Sequence, residues 1–414
     1  MPTTVADVPP HLVVDFDVYD PKHTIPVDRM QENVGELAKL GPLVWSTAHG
    51  GHWVVTHYRE VQDILRQPDL YSSFPNNLVN AAAGRFMPLE IDPPDHTAYR
   101  KALQPLFSPK RMRALEEEIR KVVTELIDAF AKKGSAEYIS EFAHELPSQV
   151  FLRLMGWPIE DVGMFAEAAD IVLYGRPGDT PEQANQSRME CAMQMYGYFT
   201  NIIGERRARL DAGEPPSDIT EEIMAQTLDL EDGLRPLNDE ELGRSFFLLL
   251  QGGMHTVQGS LAWGLMHLSQ NPEQRQLLLD DPGKIPAAVE EILRLEAQVS
   301  AGRRATRDVE LGGVQVKADD QMLVMLCSAN RDAAEFENPD DMHIERSPNR
   351  HLTFGSGPHR CVGSHLGRLE LQIAIEELNR RLPDYRMDPD NPPVVMPSQV
   401  RSVQKLPIVF TPES

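Results

Sequence analysis

Phe354-Gly-Ser-Gly-Pro-His-Arg-Cys361-Val-Gly363 runs directly into Ser364-His-Leu-Gly-Arg-Leu-Glu-Leu371. The first run is a glycine-rich turn with one proline, one histidine, one arginine and one cysteine. The second is helix-forming. A thiolate at Cys361 would therefore stand at a helix N-terminus, where the dipole and the unpaired N–H groups stabilise an anion. The glycines allow the backbone to approach a flat ligand closely. A buried cysteine after a glycine turn is the commoner meaning of such a residue in isolation, so the reading depends on what surrounds it.

Upstream lies the longest apolar helical pattern, from about Asn238 through Phe246-Phe-Leu-Leu-Leu-Gln-Gly-Gly-Met-His-Thr256 to about Gln270. Asn238 and Glu241 are spaced as a capping box. At 1.5 Å per residue the helix spans roughly 45–50 Å. The adjacent Gly252 and Gly253 at its centre are costly unless a groove or a close ligand needs them. Two β-rich patches are expected near 43–56, around Gly50-Gly51, and near 309–325, around Gly312-Gly313. The remainder reads as helices, including Arg111 to Lys132 and Pro181 to Leu210. Breaks fall at 175–181 and 212–217.

The pattern Phe-Gly-x-Gly-x-His-x-Cys-x-Gly resembles the haem-binding loop of the cytochrome P-450 monooxygenases, a family whose iron is held by a cysteine thiolate. The resemblance runs from about Pro9 to Phe410 and is similar in detail to the soluble bacterial, camphor-hydroxylase branch. It implies a mainly α fold with small β-sheets, a long central helix over the haem, and one domain covering residues 1–414. Haem b is the implied cofactor. Cys361 is the implied iron ligand, in a loop whose Phe354, Gly355 and Gly363 contact the cofactor.

Further matches give the resemblance its residues. Glu291-Ile-Leu-Arg294, alone, reads as a surface ion pair. In the family this motif joins a later arginine, here Arg346, in a buried structural triad. His96 and Arg100, four apart on one helix face, together with Arg303 and His359, occupy positions that hold the haem propionates, which need charge-assisted partners. Ala301 replaces an acidic residue of the camphor-hydroxylase branch. The oxygen-activating pattern Gly-Gly-x-Asp/Glu-Thr reads Gly252-Gly253-Met254-His255-Thr256 here, so Thr256 is kept and His255 replaces the acid. His255 either relays protons, which its ordinary pKa of about 6.5 suits, or makes a salt bridge or backbone contact while water supplies protons to Thr256.

For the substrate pocket, Phe86, Met87, Leu248, Val299 and Val400 match apolar wall positions. The tyrosine that anchors a ketone in the camphor-hydroxylase branch falls near Gly84. Gln251 and Gln399 stand where that branch has aliphatic residues. Either glutamine supplies a polar handle in an apolar pocket, or both amides bond to backbone. The implied reaction is hydroxylation of a C–H bond of a small, mostly apolar, terpenoid-like molecule using O2. Electrons come from an iron–sulfur ferredoxin reduced by an NAD(P)H-dependent reductase. Lys101, Lys110, Arg111, Arg113 and Arg360 either form its basic docking patch on the cysteine side or are scattered solvated charges. The alternatives are a peroxygenase using hydrogen peroxide, which retention of Thr256 opposes, and a non-catalytic haem-binding sensor.

Composition bounds these readings. The 414 residues carry 63 acidic against 40 basic side chains, a net charge of −23. That balance opposes nucleic-acid binding, which needs a basic footprint. The three cysteines, Cys191, Cys327 and Cys361, show no metal or disulfide spacing. A reducing cytoplasm fits. The N-terminal run is neither basic nor apolar enough for a signal peptide, and no apolar run is long enough to span a bilayer. A cytoplasmic monomer without membrane attachment is expected.

Overall fold

The computed structural model describes residues 2–79, 85–176, 178–231 and 233–413. Its helices form the bulk, and the ones that position the site are α1 (Asp95–Leu103), α2 (Glu145–Met155), α3 (Val162–Tyr174), α4 (Pro181–Asp211), α5 (Asp239–Gln270), α6 (Ile285–Leu295) and α7 (Ser364–Arg381). Among the described residues no helix is long and apolar enough to cross a membrane.

α5 is the axis. The expected capping box is present: the Asn238 side chain accepts from the Glu241 N–H at 2.9 Å, and Glu241 accepts from the Asn238 N–H at 2.8 Å. Its apolar residues, including Phe246, Leu250, Met254 and Leu261, are buried among α2, α3, α4, α6 and α7. The two central glycines divide their labour. A Cβ on Gly253 would lie 2.6 Å from the Phe151 ring, so glycine lets α2 pack closely. A Cβ on Gly252 would meet nothing within 4 Å, because that residue faces open space.

A six-stranded sheet flanks this core. Its strands are β1 (Val13–Val14), β2 (Leu43–Ser46), β3 (His52–Val55), β4 (Tyr71–Ser72), β5 (Ser300–Ala305) and β6 (Gln321–Met325), in the spatial order β1-β2-β3-β6-β5-β4. The hairpin expected near 43–56 is β2–β3, antiparallel with Trp45 opposite Trp53. In the second expected patch, Val309–Leu311 pairs with Val314–Val316 across Gly312-Gly313, both at positive φ. The sheet carries its own apolar cluster, separate from the helical one.

The helix expected from Arg111 to Lys132 is broken. It forms as Pro109–Arg113 and Glu116–Asp128. The N–H groups of Ala114 and Leu115 bond three residues back, to Arg111 and Met112, and this tighter turn redirects the chain.

Candidate active site

Cys361 lies between the sheet cluster and the helical core. Gly355 and Gly357 take φ of 70° and 69°, the left-handed region that glycine tolerates. At Gly357 a Cβ would lie 2.4 Å from the Leu65 carbonyl oxygen, so the turn is pressed against neighbouring backbone. The Cys361 N–H donates to the Phe354 carbonyl at 2.8 Å and closes the loop. Gly363 is the N-cap of α7, and its N–H is directed to the cysteine sulfur. Burial pushes the thiol up. The Gly363 N–H and the guanidiniums of Arg100, Arg360 and Arg368 act the other way. Cys191, Cys327 and Cys361 are all free; Cys191 and Cys327 are buried, and Cys361 alone keeps accessible surface on the residue, although its thiol is surrounded by protein.

Beside the loop stand four groups with few partners. The rings of His96 and His359 lie 3.9 Å apart between centroids. Burial, with Arg100 next, pushes His96 down to about 4; burial, with His96 next, pushes His359 down to about 2. Burial likewise pushes Arg303 down to about 10, opposed by Asp92. The buried His96 Nδ1 and His359 Nε2 have no hydrogen-bond partner. Arg303 donates to the Gly302 carbonyl at 2.6 Å and Arg100 to Gln104 at 3.4 Å. Neither guanidinium has a carboxylate within ion-pair distance among the described residues. Two imidazoles and two guanidiniums gathered with no carboxylate in ion-pair contact suit anions as their partners. That donor set fits the two carboxylates of haem, with Cys361 as the thiolate.

Thr256 is half-buried on α5, and its hydroxyl donates to the Gly252 carbonyl at 2.8 Å. Its own carbonyl accepts from the Ser260 hydroxyl at 2.8 Å and from the Gln298 amide. Gln298 reaches α5 because residue 259 is glycine: a Cβ there would lie 1.7 Å from Gln298 Oε1. His255 is buried, and its Nε2 lies 2.8 Å from Asp170 Oδ1 on α3. His255 thus makes the side-chain contact with a carboxylate that was one of its two expected roles. Its Nδ1 is buried without a partner.

Leu248, Gln251, Gly252 and Thr256 recur at helical spacing on α5, none of them fully buried. Val299 and Val400 are joined by a β-bridge, and Phe86 stacks on Phe247 of α5 at 6.1 Å. Met87 packs against the helical core. Gly84 lies outside the described residues. The two glutamines differ sharply. Gln399 is not a polar handle. Its Oε1 accepts from the Tyr19 hydroxyl at 2.8 Å and the Leu78 N–H at 2.7 Å, and its Nε2 donates to the Asn76 and Ser300 carbonyls, both at 3.1 Å. The amide is consumed in fixing residues 76–78 to β5. Gln251 is the opposite case: neither its Oε1 nor its Nε2, both buried, has a partner.

Glu291 and Arg294, both wholly buried, form a two-bond pair at 2.8 Å, and the Arg346 Nε adds contacts at 3.1 and 3.2 Å. On the cysteine side a cavity of about 370 Å³ is lined by Arg100, Lys101, Phe107, Arg360, Cys361 and His365. Lys101, Lys110, Arg113 and Arg360 are exposed on this side of the chain. Arg111 departs from the expected patch, because Glu222 holds it through contacts of 2.5 and 2.7 Å. Asp170, Gln298 and the buried Glu370 of α7 are the residues that motif reading missed.

The cytochrome P450 family model matches residues 178–280 and 285–405. This chain belongs to the cytochrome P450 family. Mycinamicin IV hydroxylase/epoxidase of Micromonospora griseorubida is 32% identical over 376 residues, covering 88% of this chain and 87% of that protein. A steroid C26-monooxygenase of Mycobacterium tuberculosis is 33% identical over 359 residues, covering 86% of this chain and 94% of that one. The solved structures of CYP101J2 and CYP101C1 each superpose with a TM-score of 0.86, at 28% and 29% identity, over 99% of this chain and 100% of theirs. This P450 therefore has the mainly helical fold of the bacterial members and is a haem-dependent monooxygenase that hydroxylates its substrate with electrons from redox partners.

Proposed function

We propose that this P450 hydroxylates a C–H bond of a compact, mostly apolar terpenoid that carries one ether or carbonyl oxygen. The observation that carries the reading is Gln251, whose amide is buried with both polar atoms unpaired, on the α5 face that also presents Leu248 and Thr256. An unsatisfied buried amide costs about 1–3 kcal/mol, and a ligand oxygen accepting from its Nε2 would recover part of that. The neighbouring walls, Phe86, Met87, Val299 and Val400, are apolar and exclude water.

Haem held by the Cys361 thiolate supplies, when bound, the reductive activation of O2 that C–H hydroxylation requires. The chain's own groups do the rest. His96, Arg100, Arg303 and His359 hold the propionates. Gln251 orients the substrate oxygen, and the apolar walls fix which carbon faces the reaction. The Thr256 hydroxyl donates its proton to the Gly252 carbonyl and so presents its oxygen as an acceptor. His255 delivers protons to that turn of α5. An iron–sulfur ferredoxin, reduced by an NAD(P)H-dependent flavoprotein, docks on the cysteine side through Lys101, Lys110, Arg113 and Arg360. Acidic partners are steered by such a patch on an otherwise acidic protein.

The test compares a bicyclic terpene ether or ketone with its parent hydrocarbon, following the low-spin to high-spin change of the haem spectrum. Gln251→Leu should weaken the oxygenated ligand about two- to tenfold, the equivalent of one neutral hydrogen bond, and leave the hydrocarbon unchanged. Equal weakening of both would show that Gln251 only fills space. Product formed with ferredoxin, reductase and NADH, and none with hydrogen peroxide alone, separates the monooxygenase from a peroxygenase.

A further inference from the structure

We propose that Asp170 is a positioning residue for proton delivery: from α3 it holds His255 through Nε2 and so leaves Nδ1 as the atom that gives the proton. This rests on the relay reading of His255 given above.

His255 Nε2 and Asp170 Oδ1 are 2.8 Å apart. The histidine is 1% exposed, whereas the aspartate side chain is 42% exposed. The contact therefore joins a wet carboxylate to a buried imidazole. It also decides the neutral tautomer, since the proton facing the carboxylate is the one retained. The other nitrogen, Nδ1, is buried and without a partner, so it is the ring atom left to take up and give a proton.

The surroundings leave Asp170 to His255. His144, just before α2, approaches the second carboxylate oxygen at 3.9 Å, outside hydrogen-bond range. Burial holds the His144 imidazole down, and His255 adds to this while Asp170 opposes it. Tyr174, from α3, meets the His255 ring edge-on at 5.9 Å between centroids. Burial pushes its phenol up, so it does not compete for protons near neutrality. Among the described residues, Asp170, His144 and Tyr174 are the titratable groups in contact with His255 or its carboxylate partner.

The proton count is simple. The charged ring carries one proton on each nitrogen. Nε2–H stays with Asp170, the Nδ1 proton passes to a water between the ring and the Thr256 hydroxyl, and a proton from solvent replaces it at Nδ1. No electrons pass through the ring.

The experiment uses the holoenzyme and the Asp170→Asn, Asp170→Glu and His255→Ala variants. Product per NADH and hydrogen peroxide release are measured across pH. In parallel, 15N spectra of labelled histidine in the diamagnetic reduced carbonyl form report the protonation and tautomer of His255. Replacing the carboxylate by an amide removes the acceptor that fixes the Nε2–H tautomer, so Asp170→Asn should lose coupled product where proton supply limits, by up to the about 10²–10⁴-fold that a positioned acid–base group contributes. The Nε2–H signal should give way to a tautomer mixture, and Asp170→Glu should recover much of both. Impaired His255→Ala with unimpaired Asp170→Asn would overturn the role of Asp170 and leave the relay reading standing. Unimpaired His255→Ala would end both. Lost coupling in Asp170→Asn with unchanged His255 signals would show that the aspartate acts by another route, and would overturn the proposal.

Discussion

Replacing Glu291 by glutamine keeps the shape of the side chain and removes its charge. The structure sets the size of the effect. Glu291 and Arg294 are wholly buried, Arg346 is 10% exposed, and Glu291 also accepts from the His343 N–H at 2.9 Å and Asn349 at 3.1 Å. The variant leaves two guanidiniums facing a neutral amide. Breaking a buried pair in this way costs about 3–5 kcal/mol. Unfolding entropy of about 2.1 cal/mol/K per residue, over 414 residues, gives roughly 0.9 kcal/mol/K. The melting temperature should therefore fall by about 3–6 °C, read by circular dichroism on the haem-loaded protein. The comparison is Glu36→Gln, which breaks the Lys39 contact of 2.6 Å between side chains that are each 70% exposed. That pair is worth about 0–1 kcal/mol and should shift the midpoint by about 1 °C or less. If Glu291→Gln melted within about 1 °C of wild type, the claim that burial makes this pair costly to break would be refuted.

Two further outcomes are expected. Cys361→Ala or Cys361→His should abolish the red-shifted Soret band that the reduced carbonyl complex shows with a thiolate ligand; a variant that kept the band would refute the ligand assignment. Glu370, wholly buried on α7 with its Oε2 unpartnered, has its carboxyl pushed well above the usual range by burial. Because the folded value is raised, the stability linked to this group is full at low pH and declines as pH rises above the unfolded value near 4.3. Glu370→Gln should flatten that decline, by up to about 1.4 kcal/mol per pH unit, in urea midpoints compared at about pH 5 and about pH 8. Parallel curves for the two proteins would show that burial does not raise the Glu370 carboxyl.

What the sequence disclosed was what lies close along the chain. The cysteine loop, the Asn238 cap, the two glycine turns and the Glu291–Arg294 pair are local patterns with local causes. The remainder is set by tertiary partners. Arg111 looked like a free cation until Glu222, 111 residues away, neutralised it. Gln399 looked like a pocket residue, but Tyr19, 380 residues away, takes its carbonyl oxygen. His255 presented two roles with no means of choosing, because Asp170 lies 85 residues upstream in a helix with no motif. Even at Gly252-Gly253 the sequence could justify small residues without saying that one faces a phenylalanine and the other faces open space.

The Gln298 amide on the Thr256 carbonyl has a consequence for how this chain can change. The glutamine immediately precedes Val299 of the pocket wall, and it reaches α5 only across Gly259. A side chain at 259 meets only the flexible end of Gln298 and would push it off the Thr256 carbonyl, whereas shortening 298 vacates the same space directly. Substitutions at these two positions are therefore coupled. A side chain introduced at 259 alone should cost the Gln298 contact with α5, and a library that randomises both positions should return pairs in which the larger residue at one site faces the smaller at the other.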